Sequence, residues 1–555
     1  MFQSLVSLWL ALLSAALLTG ALPADNESTV SGPGPEAAVS VAPEAGRLTD
    51  HAVSGDVFEA LLAARTEAAE PLLREPALDG MPLLQDKGSG LWYYSLPEGS
   101  ADRTDPVLSY TGGSAGLRLA VFGGITGETL RNGEPVRLLA YDNESYSLYE
   151  IVCTTLPLLD ISASKEIGDE NVAVQLRLYD NREEARTRLL ELQGKMRVRG
   201  QSTRRFPKKG YKLTLTHPQA DGSLANTNAA LLGLRSDDDW LLYAGYNDQE
   251  KLRNVFSCQL WKESCAWDNS FQLNNGTEYR YVELFLNGRY HGLYALGYPI
   301  DAKQMHLGKT AFGPTEEFLY KKISWFAESK MSFSGGGRVS GYRLKDFTSE
   351  KISTAWAALR DYYRVLFRES QTAPAALRDR LDLPNAIDVH LFFFLIQGSD
   401  NTNVGLKNVY MTQKQLGERR VMLYTPWDMD FSWGNQFVKG NATKTRMYGF
   451  TPEDNFTWAD SPIQKLLDAG DEDILEQVKA QYAQLRRNAW SDGSVLTMLD
   501  RFEEAIFASG AYGRDQARWP DGNYLEDSAD GLALFRQFVL DRLAYMDGYI
   551  ADLSA

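Results

Sequence analysis

Cysteine is scarce: 555 residues carry Cys153, Cys258 and Cys265 and no others. Three thiols cannot build a disulfide framework, and no two have the Cys-x-x-Cys spacing of a zinc site. Cys258 and Cys265 are near enough in sequence to bridge, and the alternative is that both are buried thiols. Net positive charge is also missing. The formal charge is −16, which argues against general affinity for nucleic acid, since that needs a basic footprint. No internal repeat is present, and only one long apolar run, at the N-terminus. What remains is ordinary globular composition, 44% hydrophobic and 23% charged, enough to bury a core. The length suggests two to four domains, or one large domain with additions.

Leu5 to Leu22 carries no charge, and small residues and a proline follow. Residues 1–24 therefore resemble a secretory signal peptide ending near Ala21 or Ala24. The basic residues that usually precede such a run are absent, so a retained membrane anchor is the alternative. Either way the chain is expected outside the cell, secreted or at the cell surface, with membrane contact only if the segment is kept. Asn26, Asn143, Asn275, Asn441 and Asn455 are glycan acceptors if the host glycosylates them. Residues 25–50 read as a disordered linker. Residues 51–87 read as a helical segment, on the periodicity of 56–74. Residues 88–155, with short β-prone runs and Gly, Asp and Asn between them, read as a small antiparallel, Ig-like β-sandwich. Residues 156–325 are β-rich with one inserted helix. They include Asn287-Gly288 between two alternating runs, a strong hairpin signal. Residues 326–550 are mostly helical, with two short strands inside. The fold class is α+β.

Three segments carry chemistry. In "RVRGQSTRRFPKKGYKLTL", Arg197, Arg199, Arg204, Arg205, Lys208, Lys209 and Lys212 surround a small turn, Gly200 to Thr203. Backbone N–H groups and hydroxyls of such a turn can approach an anion closely, and the cations add charge-assisted bonds. The bland alternative is a charged strand edge that blocks aggregation. In "IQGSDNTNVGLKNVYM", Asp400 follows an apolar helix and Asn408 comes eight residues later. Asp400 could orient a hydroxyl while Asn408 binds a cation; both are also common turn formers. In "LYTPWDMDFSWGN", alternation along an extended chain would put Asp428 and Asp430 on one face, as a hard cation such as Mg²⁺ or Mn²⁺ prefers.

The order of these segments, basic turn, acid-plus-Asn loop, strand-terminal acids, follows protein-kinase logic, although GxGxxG, HRD and a strict DFG are all absent. Six strings, "VRGQSTRRFPKKGYKLTL", "DWLLYAGYNDQEKLRN", "YVELFLNGRYHGLYAL", "FLYK", "GSDNTNVGLKNVYM" and "TPWDMDFSWG", together resemble the CotH kinase family, the spore-coat protein H-like atypical protein kinases, over about Leu156 to Leu543. The resemblance implies an atypical protein-kinase-like bilobal fold over 156–550, with a β-rich N-lobe at 156–325 and a helical C-lobe at 326–550. It implies ATP with Mg²⁺ or Mn²⁺, and phosphate transfer to Ser or Thr of a coat or surface protein. Asp400 would be the catalytic aspartate, and Asn408, Asp428 and Asp430 the metal ligands. Arg199, Gly200, Ser202 and Thr203 would cradle the nucleotide, with Lys209 or Lys212 on its phosphates and Lys209 preferred. Tyr298 stands where the family often has a hinge acid. The competing functions are a non-catalytic surface or coat-associated adhesion protein on the same scaffold, and a metal-dependent phosphohydrolase or nucleotidyl transferase.

Overall fold

The structure, a computed structural model, describes residues 44–555 except 100–104, 112–115, 308–316, 325–332, 335–337, 340, 346–351, 370–372, 403–404, 439–444, 457, 459 and 555. The expected signal or anchor, most of the expected linker, Asn26 and Asn441 lie outside these residues. Among the described residues, no helix is long and apolar enough to cross a membrane.

Residues 44–154 form two facing sheets. One runs Glu44–Arg47, Val107–Thr111, Arg74–Leu78, Met81–Pro82. The other runs Ala52–Val53, Arg118–Phe122, Pro135–Tyr141, Ser145–Thr154, Trp92–Ser95, Leu84–Gln85. Leu48, Leu78 and Leu108 meet Val121, Leu138, Ile151 and Cys153 between them, which is the two-layer logic of a sandwich. Three expectations change here. The sandwich is not purely antiparallel, because Ser145–Thr154 pairs in parallel with Trp92–Ser95 and Arg118–Phe122 with Ala52–Val53. The linker does not reach residue 50, since a strand begins at Glu44 and Leu48 is wholly buried. The helix over 56–74 spans only Gly55–Ala63. Pro71 disfavours helix at Glu70, and the chain past Ala63 finds strand partners: Thr66 and Glu67 pair with Ser145 and Tyr146.

From Leu158 the chain builds a closed barrel of β1 (Leu158–Ala163), β2 (Val172–Tyr179), β3 (Leu189–Arg199), β4 (Gly210–Pro218), β5 (Asp239–Tyr243), β6 (Tyr279–Leu286) and β7 (Arg289–Gly297). The order around it is β3-β2-β1-β6-β7-β5-β4, and β4 pairs back to β3. Only β1 and β6 run parallel. Alternate residues fill the interior, among them Leu159, Leu176, Met196, Leu213, Trp240, Val282 and Tyr294, so it is a packed core. The β6–β7 hairpin turns on Asn287 (φ 54°) and Gly288 (φ 72°), the two positive angles of a type I′ turn that the sequence signal implied.

Helix α1 (Arg253–Ser264) sits between β5 and β6 in the chain and is buried on nearly every face. A second sheet orders β9 (Tyr342–Lys345), β8 (Phe318–Lys322), β10 (Val409–Leu416) and β11 (Arg419–Pro426), all antiparallel. The small β element of the helical half therefore has four strands. A boundary at 325 cuts through it, because β8 pairs with β10. Around it pack Ile352–Arg364, α2 (Leu383–Leu395), Pro462–Asp468, Glu472–Arg487, Asp492–Glu503, α3 (Ala511–Arg518) and Ala533–Asp552. Side-chain caps start several of these helices: Asp382 accepts from Asn385 N, Ser461 from Gln464 N and Asp471 from Ile474 N, each worth about 1 kcal/mol.

Cys153, Cys258 and Cys265 are all buried free thiols. Cys258 lies on α1 and Cys265 caps its end. Seven residues of helix separate two positions by roughly 10 Å, beyond the reach of a disulfide.

Candidate functional site

A cleft of about 770 Å³ opens where the ends of β3, β4 and β5 meet the second sheet. Its walls include Arg199, Gly200, Ser202, Thr203, Lys212, Asp400, Asn408, Trp427 and Asp428. Segments separated by more than 200 residues thus share one space.

The turn after β3 needs its glycine. Gly200 has φ 119°, and a Cβ there would collide with Thr203 Oγ1. Ser202–Arg205 then makes a short 3₁₀ turn. Five of the seven cations around this turn have distinct fates. Lys208 is fully buried and pairs with Asp515 of α3 at 2.8 Å, also donating to Leu293 O. Lys209 does not line the cleft; its Nζ donates to Arg204 O at 2.7 Å. Lys212 does line it, on β4, but its charge is matched by Asp239 at 2.8 Å. Arg204 pairs with Asp169. Arg199 faces the cleft with its guanidinium over the Trp427 ring, 5.8 Å from the centroid.

Asp400 lies on a single helical turn, Ser399–Thr402, fixed after α2 by Ser399 N donating to Phe431 O at 2.9 Å. Lys407 Nζ reaches both Asp400 oxygens at 2.8 Å, and Asn408 Nδ2 donates to Oδ2 at 2.7 Å. Burial pushes the Asp400 carboxyl up to about 6, against the lowering effect of Lys407 and Asn408. Asn401 holds the loops together: its Nδ2 donates to Asn408 O at 3.2 Å and to Trp427 O at 3.1 Å. Asn408 and Asp428 both have positive φ, 52° and 58°. Such backbone costs of order 1–3 kcal/mol at each non-glycine residue and gathers at functional sites.

Alternation is not what places the two acids of the WDMD stretch. Strand β11 ends at Pro426, and the left-handed turn at Asp428 aims that residue at the cleft. Asp430 sits behind the cleft wall, 5% exposed, accepting from Asn247 Nδ2 at 2.9 Å. Burial first, then the nearby Asp428 charge, holds its carboxyl well above the usual range, and Asp400 and Asp248 add to the effect. Met429 between them is pinned by N–H donation to Asn254 Oδ1 at 2.9 Å. Trp433 is fixed by donation from its indole to Ser257 Oγ at 2.9 Å. Carboxylates crowded this way, with one ammonium among them at Asp400, suit a divalent cation. The nearby Tyr243 hydroxyl, buried without a hydrogen-bond partner among the described residues, also suits an added ligand. Among the described residues, no group of three or more His, Cys, Asp or Glu is arranged to hold a metal alone. A cation here would therefore need amide or ligand oxygens as well, which is how Mg²⁺ is usually bound.

Tyr298 is buried against the barrel core and does not line the cleft; its hydroxyl is 3.4 Å from Glu278. The residues just after it, Pro299 to Lys303, do line it, with Asp301 accepting from Arg235 at 3.3 Å. The acid of this segment is thus three residues further on. Asn275, a nominal glycan acceptor, is wholly buried and donates to Tyr424 O, so the folded chain cannot carry a glycan there.

Sequence reasoning missed Lys321, Arg343 and Lys345, which line the same cleft from β8 and β9. Lys321 Nζ lies 5.2 Å from the centroids of both Tyr410 and Trp427. Burial, and then the positive charges of Arg199, Lys345 and Arg343, pull Lys321 down to about 7, while Asp428 opposes the shift. The only signal in the sequence was two lysines in the otherwise apolar strand "FLYKK".

Comparison with curated proteins found no match. The family profile described as CotH kinase protein matches residues 196–546, well over half of the chain. That match begins inside β3 and takes in the glycine turn, Asp400, Asn408, the WDMD stretch and α3. This chain belongs to the CotH kinase protein family.

Proposed function

We propose that the chain is an exported atypical Ser/Thr protein kinase, transferring the γ-phosphate of ATP to protein hydroxyls in the cleft. The observation that carries this reading is the meeting of Asp400, Asn408 and Asp428 with the Gly200 turn around one cavity. The barrel strands line one part of the cleft and the second sheet with Asp400 another, which supports a reading as a bilobal kinase-like fold. Family membership supports the kinase class.

In this reading Asp400 orients the acceptor hydroxyl and takes its proton. Lys407 and Asn408 hold Asp400 in place, and the Asn408 amide nitrogen, turned to Asp400, leaves its oxygen for a cation. Asp428, Asp430 and Asn408 would hold Mg²⁺ or Mn²⁺, which when bound supplies charge neutralisation for phosphates. The backbone of the Gly200 turn and Arg199 steady the transferring group, so catalysis is mainly positioning and electrostatics. Trp427, Phe431 and Trp433, all buried, keep water from the acids. The acceptor is a Ser or Thr of a coat or surface protein.

The test is ATP labelled at the γ-phosphate, with a generic acceptor protein and Mg²⁺ or Mn²⁺. Label should enter protein, with ADP as the second product, and Asp400→Asn should lose about 10²–10⁴-fold of the rate. Release of AMP or free phosphate without labelled protein would point to hydrolysis or nucleotidyl transfer. No incorporation by the wild type would sink the reading.

A further inference from the structure

The cations of the cleft divide into two sets. Arg204, Lys208, Lys212, Lys303 and Lys407 each meet a carboxylate. Arg197, Arg199, Lys321, Arg343 and Lys345 line the same cleft and meet none within ion-pair distance among the described residues; the last four gather about the Trp427 ring and the β8–β9 pair. They come from three strands. Lys321 and Arg343 are direct partners across β8 and β9, and Lys345 faces Leu319, two residues along. Residues two apart on a strand share a face, so Arg343 and Lys345 point the same way as Lys321. Arg199 and Lys321 lie over the same Trp427 ring.

Like charges gathered on one wall repel unless an anion sits among them. Arginine and lysine on adjacent strands, beside a glycine turn with room for close backbone approach, match an extended anion of several charges. A single carboxylate would leave most of the set unmatched.

We infer that Arg199, Lys321, Arg343 and Lys345 form the seat of a polyphosphate chain, with Lys321 as its central contact in place of Lys209 or Lys212. This rests on the kinase reading for the identity of the natural ligand, the phosphates of ATP, but not for the chemistry of the seat. Lys209 is turned to a backbone carbonyl and Lys212 is neutralised by Asp239, so neither brings an unmatched charge to the cleft. Lys321 feels the charge of each of the other three, Arg199, Lys345 and Arg343. It shares the Trp427 face with Arg199, pairs across the strands with Arg343, and senses the charge of Asp428.

The experiment is isothermal titration of the full chain with inorganic tripolyphosphate, without metal, at low ionic strength. The wild type should bind. Lys321→Met should weaken binding by about tenfold or more, and Arg343→Gln with Lys345→Gln by about threefold or more. Lys321→Arg should restore most of it. Lys209→Met should stay within about twofold of wild type. Near-UV circular dichroism checks that each variant is folded. Wild type that does not bind, folded Lys321→Met that binds like wild type, or Lys209→Met that loses as much as Lys321→Met would overturn the inference. Tripolyphosphate binding that depends on Lys321, in a chain that labels no protein, would sink the kinase reading and leave the seat standing. Protein labelling intact in Lys321→Met would do the reverse.

Discussion

At the scale of single residues, backbone conformation decides more than side-chain type. Gly200 is needed because φ 119° and the nearby Thr203 hydroxyl exclude a Cβ. Gly200→Ala should cost about 1 kcal/mol or more of stability and weaken nucleotide binding far more than Gly124→Ala, where φ is not positive and a Cβ meets nothing within 4 Å. Titration with ATP and urea unfolding check both effects. Asp388 of α2 gives a pH prediction away from the cleft. Its carboxyl is buried and accepts from Gln481 Nε2 at 2.6 Å. Burial, with Asp268 adding to it, raises its pKa to about 8. The native state then holds a proton that the unfolded chain releases above the ordinary value of 3.8. This contribution to stability is full below pH 4 and is lost as pH rises through about 8. Asp388→Asn removes that loss, so its Tm should gain roughly 2–4 °C on wild type at pH 8 and little at pH 5; equal pH slopes would contradict this. At this scale the meeting of Asp400 and Asn408 at the cleft was legible, because an acid and an amide after an apolar helix are unusual in kind. The reason given for Asp428 and Asp430 was not sound: the strand stops two residues before Asp428, and a left-handed turn places it. Lys321 was illegible because alternation says that Lys321 and Lys322 face opposite ways, but not which of them faces a cleft formed by other strands.

At the scale of elements, the basic turn is tied to the helical half. Lys208 and Asp515 are 1% and 0% exposed in their side chains. Asp515 also accepts from Leu293 N at 2.9 Å and from Tyr524 at 2.9 Å, so α3, β7 and the segment before β4 meet at one carboxylate. Breaking a buried pair from one side leaves an unmatched charge, at about 3–5 kcal/mol. Lys208→Met should therefore lower the urea midpoint strongly, and Lys208→Met with Asp515→Leu by less than the sum of the single changes. Additive losses would mean that the two side chains do not act as a pair. The elements themselves were largely legible. The Asn287-Gly288 hairpin and the apolar run of α2 follow local rules. Barrel closure was not, because the β4–β3 pairing that shuts the ring depends on strands meeting in space. The four-stranded second sheet was missed for a like reason: β8 and β10 are about ninety residues apart, and nothing local marks them as partners.

At the scale of the whole molecule, the family match begins at residue 196, while the barrel begins at Leu158. Strands β1 and β2 complete the ring, and Leu158, Tyr179, Phe285 and Tyr290 share a small core with Leu84, Tyr93 and Val152 of the sandwich. Asp86 adds a bond from Tyr290 N at 3.0 Å, and Arg514 of α3 pairs with Glu283 of the barrel at 2.6 Å. A chain beginning at residue 196 should then lose cooperative thermal unfolding, read by far-UV circular dichroism, because an open barrel exposes its core. A sharp transition near the wild-type Tm would contradict this. The central claim is that Asp400, Asn408, Asp428 and Asp430 gather around metal-bound nucleotide. The most direct measurement is a crystal structure of the full chain with a non-hydrolysable ATP analogue and Mn²⁺, read by the anomalous signal of manganese. The account predicts manganese against Asp428 with Asn408 and Asp430 beside it, and the terminal phosphate facing Asp400. Manganese and nucleotide bound elsewhere, with this cleft empty, would contradict it.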